Sequence, residues 1–208
     1  MLDVKTRNKI MQSLGQAVDS VVREHYPGLS QEPAITSRIG QNIEACLNGR
    51  HIGDYVIRII TQDIPDRGSR SLEKITGTDL FISVSLEGSH GFDKGFLVQT
   101  KFDRGLNRTE LQGQCRRMQR ISKSSYVWVY TREGVSVVSA EEVMRMQGNS
   151  LEGLQSRSVA GFFGRVLDCN AGSKKLGIPP VAGRRAILTR RLQELRAIES
   201  IDVNIKKM

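Results

Sequence analysis

The sequence predicts a single α/β domain built on a mixed central sheet flanked by helices. Three observations carry that expectation. Apolar residues recur at helical intervals over residues 3–25 and 35–49, then give way to runs rich in β-branched and aromatic residues at 55–61, 75–86 and 95–102. A helical pattern returns after Lys101 and is followed by two further strand-like runs, 126–130 and 135–138. At 208 residues the chain is long enough to bury one substantial core.

The elements follow in order. Val4, Ile10, Leu14, Val18, Val21 and Val22 form the stripe of a first helix, which Tyr26-Pro27-Gly28 stops. A short linker to Pro33 leads into a second helix over 35–49. Its apolar positions are 35, 39, 43, 46 and 47, with Thr36 or Ser37 able to cap its start and Gly49 suited to its end. Glu44 lies at the margin of that stripe. Residues 55–61 read as the first strand, and 63–74 as a polar loop with Pro65, Gly68 and three basic residues, either solvated or near a substrate. The runs 75–86 and 95–102 are antiparallel strands joined by the Gly-rich turn 87–94. Asn107 or Thr109 caps a helix reaching about Ser122, and the turn 131–134 joins the next two strands. Helix-prone stretches at 140–147 and 151–168 precede a loop at 170–183 and a final amphipathic helix at 184–199, striped by Ile187, Leu188, Leu192, Leu195 and Ile198. The chain thus divides into an N-terminal helical extension (1–34), a core (35–140) and a basic helical C-terminal extension (141–208).

Charge is distributed unevenly. The net charge is +9, yet the first hundred residues hold 11 Lys/Arg against 12 Asp/Glu, and the remaining 108 hold 20 against 10. A basic half joined to an acid-bearing half suits a phosphodiester substrate, through counterion release and steering. Arg116, Arg120 and Gln112 on the helix after Lys101, with Lys174, Lys175, Arg184 and Arg185 further on, are the candidate nucleic-acid contacts. The three cysteines, 46, 115 and 169, are widely spaced without a Cys-x-x-Cys pair. That usage predicts a cytoplasmic protein without disulfides, with Cys46 and Cys169 as small core residues. The histidines show no metal-ligand spacing, and no run is long enough for a membrane span.

The chemistry concentrates on two strands. Asp79 lies in one apolar run and Gln99-Thr100-Lys101 in the next. Side chains alternate along a strand, so Gln99 and Lys101 share a face while Thr100 takes the other. A lysine in an apolar strand needs an anionic partner, because an unpaired buried charge is costly, and Asp79 is the candidate for Lys101. Asp79, the Gln99 amide oxygen and the Thr100 carbonyl are oxygens of the kind Mg²⁺ accepts, and Mg²⁺ keeps several waters besides. Lys101 would then orient water or stabilise developing charge. The glycines Gly88 and Gly91 could instead suggest a phosphate loop, but no helix follows them directly.

The order helix with Glu, strand, strand with Gly-x-Asp, strand with Gln-x-Lys, helix, strand resembles the PD-(D/E)XK phosphodiesterase superfamily over residues 35–140. The resemblance implies a restriction-endonuclease-like fold with extra N- and C-terminal helices. It assigns Glu44 to the acid of the first core helix, binding the metal directly or through water, Asp79 to the metal-binding aspartate, Gln99 to the place of the second acid and Lys101 to the catalytic lysine. Gln99 departs from the usual Asp or Glu, and in this it is similar to Mrr-like restriction enzymes. The activity that the resemblance implies is that of a Mg²⁺-dependent nuclease, with Mn²⁺ as a substitute, acting on DNA in a prokaryotic restriction or antiviral setting. Such an enzyme would work as a homodimer or with a targeting subunit. The alternative is a catalytically silent member of the fold that binds nucleic acid or a partner subunit.

Overall fold

A computed structural model describes residues 2–28, 31–63, 76–151 and 153–208. Helix α1 spans Val4–His25, and its start is capped by Asp3, whose carboxylate accepts from the Thr6 amide. Helix α2 spans Glu32–Leu47, with Pro33 in its first turn, where a missing N–H costs nothing. Strands β1 (His51–Ile52), β2 (Tyr55–Asp63), β3 (Leu80–Leu86) and β4 (Phe92–Phe102) come next. They lead to helix α3 (Arg108–Ile121), strands β5 (Ser125–Thr131) and β6 (Gly134–Ser139), and helix α4 (Ala140–Arg145). The chain continues through β7 (Ser156–Ser158), α5 (Val159–Leu167), a short 3₁₀ turn at Lys174–Leu176, α6 (Arg184–Leu195) and β8 (Glu199–Lys207).

These strands make one mixed eight-stranded sheet in the order β1-β2-β8-β3-β4-β5-β6-β7. Alternation assigns the faces. Ile57 and Ile59, Leu80, Ile82 and Val84, Phe96 and Val98, and Ile201, Val203 and Ile205 pack under α1, α2 and α5. Phe81, Leu97, Val127 and Val129 pack under α3, α4 and α6. The sequence expectation of an α/β chain with helices flanking a mixed sheet therefore holds, and β4, which carries Gln99 and Lys101, is an interior strand with β3 and β5 on either side.

Several expectations need correction. The segment 141–208 is not a set of appended helices, because β8 inserts between β2 and β3, antiparallel to the first and parallel to the second. The helix expected over 184–199 ends at Leu195, where Arg196 adopts a left-handed conformation (φ 51°) and turns the chain toward β8. The helix expected over 151–168 contracts to α5, preceded by β7. Helix α2 begins at Glu32, so Thr36 and Ser37 lie inside it and do not cap it. Strand β4 begins at Phe92, which shortens the turn and buries Lys94, whose Nζ donates to the carbonyls of Cys169 at 2.8 Å and Ala171 at 3.3 Å. Cys46 and Cys169 are exposed, and Cys115 is the buried cysteine, its thiol pushed up to about 12 by burial. The loop beyond Asp63, with its basic residues, and Ile75 lie outside the described residues.

The polar half of β8 explains its concealment. Ser200, Asp202 and Asn204 alternate with apolar residues and are buried all the same. Asp202 is held by the Arg184 guanidinium through two bonds, Nε at 2.8 Å and Nη2 at 2.7 Å. Arg184 also donates to Ser85 and to the carbonyls of Ile178 and Pro179. One arginine thus ties the start of α6 to β3 and β8.

Candidate functional site

The register Leu80↔Val98 sets Asp79 opposite Gln99 at the end of the β3–β4 pair. The Asp79 amide donates to the Val98 carbonyl at 3.0 Å, which extends the ladder to that residue. Asp79 Oδ2 accepts from Gln99 Nε2 at 2.5 Å, from the Thr100 amide at 2.7 Å and from Thr100 Oγ1 at 2.7 Å. Asp79, Gln99 and Thr100 are all buried. The structure therefore brings together three of the residues singled out from sequence, with Lys101 next along β4.

Lys101 finds its anion elsewhere. Its Nζ lies 3.6 Å from Glu32 Oε2, and Glu32 Oε1 also accepts from the Phe102 amide at 3.4 Å. The acid that α2 delivers to the lysine is thus Glu32 and not Glu44. The helix explains the difference. Glu32, Thr36, Gly40 and Glu44 are spaced four apart and so lie along one face. Thr36 Oγ1 reaches Thr100 Oγ1 at 3.4 Å and the Tyr130 hydroxyl at 2.8 Å. Gly40 abuts Glu199 of β8, and Glu44 accepts a hydrogen bond from Thr61 Oγ1 of β2. Glu44 is therefore about 12 Å along the axis from Thr36, at 1.5 Å per residue. Its strand partner sits two strand spacings, about 9.5 Å, from Asp79's strand. No period in the sequence distinguishes Glu32 from Glu44, because both fall on the same stripe.

The donor set for a cation can be tested on one atom. Gln99 Nε2 is satisfied by Asp79 and by the Thr100 carbonyl at 3.3 Å, which leaves Gln99 Oε1 buried without a hydrogen-bond partner. Such an acceptor costs about 1–3 kcal/mol, and a hard cation beside Asp79 would offset it. Asp79, Gln99 and the Thr100 carbonyl thus fit Mg²⁺ as a sparse oxygen set. Among the described residues no group of three or more His, Cys, Asp or Glu gathers as metal ligands.

Tyr130 lies at the junction of these groups. Burial is the main cause raising its hydroxyl pKa, and the carboxylates of Asp79 and Glu199 add to it, so its O–H stays a hydrogen-bonding group under Thr36. Glu199 is itself 7% exposed. Burial first, and the Asp63 carboxylate second, push its carboxyl up to about 8.

Helix α3 borders the site from the other face. Asn107 caps it by accepting from the Glu110 amide at 3.1 Å, as the sequence suggested. Gly77, two residues before Asp79 and in a left-handed conformation (φ 71°), lies so close to Gln114 that a Cβ there would meet its Cα at 2.7 Å. Arg117, one turn on from Gln114, is part-exposed with its buried Nε unbonded, and Arg116 and Arg120 are exposed. Two expected nucleic-acid contacts are removed from that role. Gln112 is buried and donates to the carbonyls of Val143, Met144 and Met146, closing the end of α4. Arg184 is consumed by Asp202. Lys174, Lys175 and Arg185 remain exposed. Arg117 escaped the sequence reading because it sits between two arginines, and only the packing of Gly77 identifies its face.

Comparison with protein-family models, curated proteins and solved structures finds no match to this chain. None of the described helices is long and apolar enough to cross a membrane. The functional reading therefore rests on the geometry of the site.

Proposed function

We propose that this chain is a metal-dependent nuclease that hydrolyses phosphodiester bonds, DNA being the first substrate to test. The observation that carries the reading is the Asp79–Gln99 pair on adjacent interior strands, with a buried, unsatisfied amide oxygen and Lys101 two residues further on. Asp79, Gln99 Oε1 and the Thr100 carbonyl would hold Mg²⁺. The ion, when bound, polarises a phosphoryl oxygen and lowers the pKa of a bound water.

The chain's own residues supply the rest. Thr100 fixes the Asp79 carboxylate through its amide and hydroxyl, so the acid is held in place before any ligand arrives. Glu32 holds Lys101 at the strand end, and a phosphate would compete with Glu32 for the ammonium. The part-exposed Arg117 and the exposed Arg116 and Arg120 would take flanking phosphates, which sets position and carries no base information. A prokaryotic restriction or antiviral role, and a homodimer or targeting subunit, belong to the same proposal.

The experiment is cleavage of plasmid and single-stranded DNA with Mg²⁺, Mn²⁺ or EDTA. Cleavage is expected with the metals and lost in EDTA. Lys101→Ala should lower the rate by about 10²–10³-fold, the scale of losing one charge-stabilising group. Inactivity of the wild type with every divalent metal would sink the reading. The second reading, a silent nucleic-acid-binding protein, draws on one observation: Asp79 Oδ2 already accepts three hydrogen bonds from protein groups. It predicts DNA binding that EDTA leaves unchanged and no cleavage.

A further inference from the structure

The acids of β2 and β8 form a second polar centre that the β3–β4 pair does not use. The register sets Asp63 opposite Glu199. Both line a cleft of about 100 Å³ together with Ser37, Gln41, Thr61 and Gln62. Glu199 is 7% exposed, and among the described residues its carboxyl has no hydrogen-bond donor and no ion-pair partner. Its neighbour across the ladder, Asp63, is an exposed carboxylate, so a buried acid with no counter-charge faces a second acid, which is unfavourable for its charged form.

The backbone has made room for this arrangement. Gly40 is buried on the face of α2 that meets β8, and a Cβ at that position would collide with Glu199 Oε1. A glycine inside a helix is unfavourable relative to alanine, and here it leaves the carboxyl oxygen its space. The surrounding Ser37, Thr61 and Gln41 bring neutral oxygens. Two carboxylates with neutral oxygens and water are the donor set of a hard divalent cation.

We propose that Asp63 and Glu199 hold a divalent cation of the Mg²⁺, Mn²⁺ or Ca²⁺ class in this cleft. None of its side-chain ligands belongs to the Asp79 set, and the site does not depend on the nuclease reading. The two centres touch through the main chain: the amides of Ile198 and Glu199 donate to the Asp79 carbonyl at 3.1 and 3.0 Å. A cation between β2 and β8 would therefore brace the segment that supports Asp79.

The test is direct counting of bound Mn²⁺ on the full chain by electron paramagnetic resonance, for wild type, Glu199→Gln, Asp63→Asn, Gly40→Ala and Asp79→Ala. Glutamine and asparagine keep the shape of the acids they replace, and circular dichroism melts report that each variant is folded. Glu199→Gln and Asp63→Asn should each weaken one class of Mn²⁺ binding by more than about tenfold, since loss of a direct ligand costs at least as much as loss of an outer-shell partner. Gly40→Ala should weaken the same class while removing no ligand. Asp79→Ala should retain it. If all Mn²⁺ binding is lost with Asp79→Ala, or if Glu199→Gln and Asp63→Asn bind as the wild type does, the proposal is overturned while the Asp79 reading stands. If the wild type binds no Mn²⁺, both fail.

Discussion

At the scale of single residues, Asp79 and Gln99 make opposite predictions under substitution. Asp79→Ala removes the acceptor of three hydrogen bonds and the one acid of the proposed set, so metal-dependent cleavage should vanish. Gln99→Glu supplies a charged oxygen of the same shape but removes the donor to Asp79, so the two acids repel until a cation offsets them. Cleavage should persist with the metals or shift in preference between Mg²⁺ and Mn²⁺. A plasmid assay across both metals reads the two variants together; wild-type rates in Asp79→Ala would remove the site. Glu199 adds a pH dependence whose sign follows from its raised carboxyl. In the folded chain it keeps its proton up to about 8, whereas unfolded it gives it up near the ordinary 4.5. Between those values unfolding releases a proton, so this group's contribution is fully present at low pH and lost as pH rises toward 8. In EDTA, melting followed by circular dichroism should show Tm falling over that range, with a shallower fall in Glu199→Gln. Equal slopes would mean that Glu199 is ionised in the fold. Arg184 belongs to the same scale. Arg184→Ala strands Asp202 in the interior and should cost about 3–5 kcal/mol in urea unfolding, whereas Arg185→Ala, on an exposed residue, should change stability little.

Elements carry the interactions that single residues cannot. The face of α3 that Gly77 touches at Gln114 includes Arg117, with Arg116 and Arg120 beside it. Replacing all three by alanine should lower DNA affinity alike for unrelated sequences, and flatten log affinity against log salt by about 0.9 for each phosphate deprived of its arginine. Fluorescence anisotropy over a salt series measures it; an unchanged slope would move the substrate track off α3. Elements are also where the sequence was most and least legible. The Asn107 cap, the α1 stripe and the strands β3 to β6 follow from local rules that act within a turn or a pleat, and the structure has them. That Asp79 and Gln99 gather at one end of two consecutive antiparallel strands was legible too, but their direct pairing was not, because the register that sets them opposite follows from β4 starting at Phe92. Strand β8 was not, because Glu199, Ser200, Asp202 and Asn204 read as solvated positions until Arg184, Gly40 and β3 are placed around them. Helix α2 failed in a subtler way. Its polar stripe was visible, but which acid meets Lys101 depends on where the helix crosses the sheet, and Glu32 stands where Glu44 was expected.

For the whole molecule, the arrangement of the sheet makes the C-terminal strand a keystone. Strand β8 bonds to β2 along its full length and to β3 over seven residues, and one of its residues supports the Asp79 carbonyl. Deleting residues 199–208 should therefore abolish the cooperative unfolding transition and the Asp79 site together, a loss that differential scanning calorimetry would register. Retention of a sharp transition would show that β2 and β3 can pair without it. The same placement has a consequence during synthesis. A ribosome delivers α1, α2, β2, β3 and β4 long before β8, yet β2 and β3 stay apart until that strand arrives between them. The nascent chain must carry two unpaired interior strand edges through most of its elongation, which favours slow, late closure and exposes it to edge pairing with other chains. A chain released early would leave Asp79 without its β8 neighbour, so interrupted translation should yield fragments that lack the assembled site.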